Sequence, residues 1–146
     1  VATAATIALV VGLAVGNVAF SGDDGTLTDV AAASLDRVAR SVINDPSSRS
    51  VELTSTDETL TATAAVADDG AAYLVGTSLP ALSAEETYQL WGIAGDRVIS
   101  LGTIGSEPGV VAFRVDPSME TIAITAEAAG GVVQSSNAPI VVGSLS

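Results

Sequence analysis

The doubled carboxylates Asp23-Asp24, Asp68-Asp69 and Glu85-Glu86 are among the densest chemistry-bearing groups in the chain. Two carboxylates at a fixed separation can divide acid and base roles in glycoside hydrolysis. Adjacent residues on a strand, however, point to opposite faces, and each of these pairs falls at an expected turn or terminus. They read as solvated ends rather than acid/base couples. Asp68-Asp69-Gly70 supplies too few oxygen ligands for calcium. The sequence has no His, no Cys and no Lys. That removes Ser-His-Asp triads, thiolate nucleophiles, His- or Cys-ligated zinc, Schiff bases and the phosphate-binding loop lysine. No catalytic, cofactor-binding or metal site is expected, and the chain is read as not an enzyme.

Charge is distributed unevenly. No charged residue precedes Asp23, so the net charge of −12 belongs entirely to residues 23–146. Five arginines are scattered among seventeen carboxylates, which leaves no basic stripe for nucleic acid. Val1 to Phe20 is uncharged and, as a helix, covers the roughly 30 Å of a bilayer core. Residues 1–21 therefore read as a transmembrane helix; an export signal and a buried core helix are the alternatives. Gly12 and Gly16 form a GxxxG spacing that can bring two membrane helices together as a homodimer.

Residues 22–50 read as a juxtamembrane helix and linker. Leu27, Val30, Ser34/Leu35, Val38 and Val42 recur at helical spacing, Thr26 and Asp29 suit a capping box, and Asp36 and Arg40 form an i,i+4 pair. Asn44-Asp45-Pro46 should stop the helix. From Val51 the pattern changes to short β-type runs: 59–67, 71–77, 88–94, 97–104, 110–115, 121–127 and 139–143. Asp68-Asp69-Gly70 and Gly95-Asp96 provide hairpin turns. About eight strands without an intervening helix predict a mainly β domain over 51–146, an antiparallel β-sandwich. Tyr88, Leu90, Trp91, Val111, Phe113, Ile122 and Ile124 are its expected core.

Tyr88-Gln89-Leu90-Trp91 contains the single Trp and one of the two Tyr. Aromatic residues in a hairpin usually anchor a core with their polar tips bonded at its edge, so this strand is read as structural. The run Leu79 to Ile104, LPALSAEETYQLWGIAGDRVISLGTI, resembles the anti-sigma-K factor C-terminal domain. Further on, Ile122 to Glu127 with Ala129-Gly130-Gly131 after it, and the closing Ala138 to Gly143, also resemble that family.

The resemblance covers about residues 45–145. It implies a cytoplasmic sigma-binding domain before Val1, one membrane helix, and an extracytoplasmic β-domain after about residue 22. It implies a sigma factor as partner of the preceding domain, and release of the inhibitor by envelope and intramembrane proteases. Gly12, Gly16 and Asn17 are candidate helix-relaxing positions for intramembrane cleavage. The alternative function is a secreted or tethered β-sandwich that binds a cell-envelope ligand.

Overall fold

A computed structural model describes residues 24–146, and side chains from 29 onward. The expected span 1–21, with Gly12, Gly16 and Asn17, lies outside the described residues, as does the Thr26 side chain of the expected capping box. Among the described residues no helix is long and apolar enough to cross a membrane.

Among the described residues one helix comes first: α1 covers Asp24–Ile43. Its middle is rich in Ala, the best helix former, and Asp36 pairs with Arg40 at 2.7 Å. The end is set locally. The Asn44 side-chain amide donates back to the Arg40 carbonyl at 2.8 Å. Asp45 then accepts the Ser47 backbone N–H at 2.9 Å, a turn that takes the chain past Pro46.

Eight strands come after it: β1 (Arg49–Thr54), β2 (Thr61–Val66), β3 (Ala71–Thr77), β4 (Glu86–Ala94), β5 (Arg97–Gly105), β6 (Val111–Arg114), β7 (Thr121–Ala128) and β8 (Val141–Ser144). β1 therefore begins two residues before the expected boundary at Val51. Both anticipated hairpins form. Gly70 N–H donates to the Ala67 carbonyl at 3.0 Å, and Gly95 takes a φ of +58° between the paired Ala94 and Arg97.

The expectation of an all-antiparallel β domain holds. Its finer form is one continuous eight-stranded sheet, in the order β5-β4-β7-β8-β1-β2-β3-β6, rather than two separate sheets. Edge strands β5 and β6 come close without pairing, so the sheet curls into a nearly closed barrel. Small residues Ala62, Ala64 and Ala72 are fully buried on the inner face, where curvature crowds the side chains. Larger ones fill the centre: Leu53, Leu74, Tyr88, Leu90, Ile122, Ile124 and Val141. Gly92 admits the thioether of Met119, because a Cβ there would lie 2.4 Å from its sulfur.

The expected core position Val111 needs correction. Val111 is only partly buried, since β6 is an edge strand paired on one side. Of the α1 residues that recur at helical spacing, Leu35 and Val42 are partly buried while Val30 and Val38 are exposed. Val30 and Val38 are 59% and 47% exposed, whereas Ala39 is 1% exposed and flanked by the partly buried Leu35 and Val42. α1 packs on β2, β3 and β6, where the small Ala65 on the sheet's outer face lets the helix come close.

Candidate functional site

Strand alternation divides the Tyr88-Gln89-Leu90-Trp91 motif between two faces. Tyr88 and Leu90 point into the barrel and pair across the ladder with Ala126 and Ile124 of β7. The Tyr88 hydroxyl donates to the Pro80 carbonyl at 2.7 Å. Gln89 and Trp91 lie on the outer face, yet both are only 2% exposed. What covers them is the connection between β7 and β8, residues 129–140, which crosses the outer face as a strap.

Three side chains hold the strap. Gln89 accepts the Val132 N–H through Oε1 at 2.8 Å and donates through Nε2 to the Val132 carbonyl at 2.8 Å. Its carboxamide thus pairs with the strap as a neighbouring strand would. Gly131, at φ +76°, permits this approach, because a Cβ there would sit 2.8 Å from Gln89 Oε1 and 2.6 Å from Thr103 Cγ2. Glu127 is the second holder. Its carboxylate accepts the Thr125 hydroxyl at 2.6 Å, the Asn137 amide at 3.0 Å and the Ser135 hydroxyl. Asn137, the third, also donates to the Ala126 carbonyl at 2.8 Å. Thr125 accepts the Trp91 indole N–H at 2.9 Å, which ties the motif strand into the same network.

Beside the strap the outer face forms a groove of about 240 Å³. Its apolar walls are Trp91, Ile93, Val98, Ala123, Val133 and Pro139. Thr125, Gln134, Ser135 and Asn137 supply its polar lining. Val98 and Val133 are 60% and 93% exposed at the rim. Glu127, 5% exposed, lies directly behind three of these, Thr125, Ser135 and Asn137.

Of the carboxylate pairs, Asp23-Asp24 lies outside the described side chains, and Asp68-Asp69 and Glu85-Glu86 do not converge. Asp69 accepts the Ala71 N–H within its own turn, and Glu86 accepts the Ser83 hydroxyl at the entry to β4. Asp45, Asp57 and Asp116 are exposed and held below the usual aspartate range by neighbouring Ser and Thr hydroxyls and backbone N–H groups. They stabilise turns. Burial, and then the negative charge of Glu86, push the Tyr88 phenol above its usual value.

Sequence reasoning missed the network around Glu127. The one available signal was an acid placed within the otherwise apolar and hydroxylic β7, Thr121–Ala128. Its partners Ser135 and Asn137 sit on an irregular segment that no periodicity could place.

Fold and site together define a small antiparallel β-domain with a helix packed on it, built to hold a strap in place. The family described as anti-sigma-K factor rskA, C-terminal, matches residues 1–140, and the chain belongs to it. Such domains are parts of regulatory proteins rather than enzymes. Neither the curated proteins nor the solved structures include a match to the chain.

Proposed function

We propose that this chain is the membrane-anchored, extracytoplasmic portion of an anti-sigma factor. Residues 1–21 span the membrane once, residues 22–50 form the juxtamembrane helix and linker, and residues 51–146 form the outer domain. A cytoplasmic domain before Val1 holds a sigma factor inactive. Envelope and then intramembrane proteolysis releases it. Residues Tyr88, Gln89, Leu90 and Trp91 serve the architecture of the outer domain.

The observation that carries this reading is the extent of the family match. It runs from residue 1, so it takes in the uncharged segment as well as the β-domain. The uncharged run of twenty residues from Val1 to Phe20 has the length a bilayer requires. No Lys or Arg follows the span until Arg37, which suits the side away from the cytoplasm, where the cationic loop bias is absent.

The test is a pair of reporter fusions after Ser146 in the intact gene product. A phosphatase active only outside the cytoplasm should be active, and a fluorescent protein that matures only inside should be dark. The reverse pattern overturns the topology. Co-purification of a sigma factor with the intact product, lost on removing the part before Val1, tests the inhibitor role. Co-purification that survives the removal overturns it.

A further inference from the structure

Glu127 is a buried carboxylate without a buried cation. Among the described residues the one ion pair is Asp36 with Arg40, on the surface of α1. Buried Glu is rare unless paired, because removing a charge from water is costly. Here three neutral donors satisfy the oxygens, and every buried side-chain polar atom among the described residues has a partner. Hydrogen bonding is complete, but the charge is uncompensated.

The groove gives that charge a direction. Three of the four polar residues that line it, Thr125, Ser135 and Asn137, hydrogen-bond Glu127; the fourth is Gln134. The carboxylate is thus one side chain away from the groove, behind walls of low polarity that screen it weakly. A volume of about 240 Å³ is below the roughly 300–1,000 Å³ of sites that enclose a whole small molecule. It suits a single long side chain. An aliphatic stem lies well against Ile93, Val98 and Val133, and a cationic tip faces Ser135 and Asn137. Lys and Arg divide in this way between an apolar stem and a charged head.

We propose that the groove receives the side chain of a lysine or arginine on a partner peptide, with Glu127 as the charge that selects it. Charge complementarity extends to the whole molecule. A net charge of −12 attracts a basic partner over a distance of about a Debye length. This inference stands apart from the sigma-factor reading and does not depend on it.

Trp91 is the only Trp in the chain and forms part of the groove wall, so its fluorescence reads occupancy directly. The full chain in non-ionic detergent is titrated with acetyl-Ala-Ala-Lys-Ala-Ala-amide and with the same peptide carrying norleucine for lysine. The lysine peptide should shift Trp91 emission saturably. The norleucine peptide, with the same stem and no charge, should bind about tenfold more weakly, and the gap should narrow at 1 M salt. Glu127→Gln should bring the two peptides to equal affinity. The wild-type comparison stands alone if that variant fails to fold. Equal binding of the two peptides by wild type, or no saturable change with lysine up to millimolar concentration, overturns the proposal.

Discussion

The Trp91 indole donates its Nε1 proton to Thr125 Oγ1 at 2.9 Å, from β4 to a diagonal neighbour on β7. Thr125 in turn donates its own proton to Glu127 at 2.6 Å. The hydroxyl therefore works in both directions, and an aromatic residue on the outer face is coupled through it to the buried carboxylate that holds the strap.

Replacing Trp91 separates packing from hydrogen bonding. Trp91→Ala empties a site that is 2% exposed, and should cost about 3–5 kcal/mol. Trp91→Phe keeps most of the ring volume but loses the N–H donor, and should cost about 1 kcal/mol from the bond. Denaturant unfolding of both variants checks this. An alanine variant as stable as the parent would show that Trp91 does not support the strap.

Gly131 and Gln89 should be energetically coupled. A methyl at Gly131 collides with Gln89 Oε1 and requires an unfavourable positive φ. Gly131→Ala should therefore destabilise by about 1–3 kcal/mol. In a Gln89→Ala background part of the collision is gone, so the same change should cost less. A double-mutant cycle measures the difference. Additive effects would mean that the strap's approach does not depend on this pair.

The contrast between these two residues shows what was legible. The hairpins at Asp68-Asp69-Gly70 and Gly95-Asp96 could be read directly, because turn chemistry is local. Inner-face residues such as Ile122 and Ile124 announced themselves by period two. Trp91 was expected in the main core, since a lone aromatic gives no sign of which face it takes when both faces are covered. The Gln89 contact joins residues 43 apart through a segment without periodicity. The packed face of α1 was hidden for another reason. It centres on Ala39, and hydrophobic patterning gave more weight to the larger Val30 and Val38, which remain exposed.

Tyr88 predicts an alkaline loss of stability. Its raised pKa means that the folded state holds the phenol proton more tightly than the unfolded state, whose ordinary value is 10.0. The contribution is fully present below pH 10.0 and declines as pH rises from there toward the folded value. Tyr88→Phe removes the bond to Pro80, costing about 1 kcal/mol at neutral pH. It should also flatten the alkaline decline. Thermal melts between pH 8 and about 12 compare the slopes; equal slopes in parent and variant would exclude this origin.

Asp45, Asp57 and Asp116 predict the opposite limb. The depressed pKa values mean that the unfolded state binds protons first. Their stabilisation is present above the ordinary value of 3.8 and is lost as pH falls below it toward the folded values. The triple variant Asp45→Asn, Asp57→Asn, Asp116→Asn should show a shallower decline in Tm between pH 4 and about 2. An unchanged acid limb would assign acid sensitivity to other carboxylates.

One substitution at two adjacent positions settles the orientation of α1. Val38 is 47% exposed and Ala39 is 1% exposed. Val38→Leu adds a methylene where there is room, and should change stability by no more than about 0.5 kcal/mol. Ala39→Leu forces a large side chain between the helix and the outer face of β2 and β3, and should cost about 1–3 kcal/mol. Helix propensity does not decide the comparison, since Ala and Leu are both strong helix formers. Adjacent residues differ by about 100° around a helix. A reversed order of the two effects would therefore require α1 to be rotated by that amount, placing Val38 against the sheet and Ala39 in solvent. Urea unfolding of the two variants, read by far-UV circular dichroism, distinguishes the two orientations.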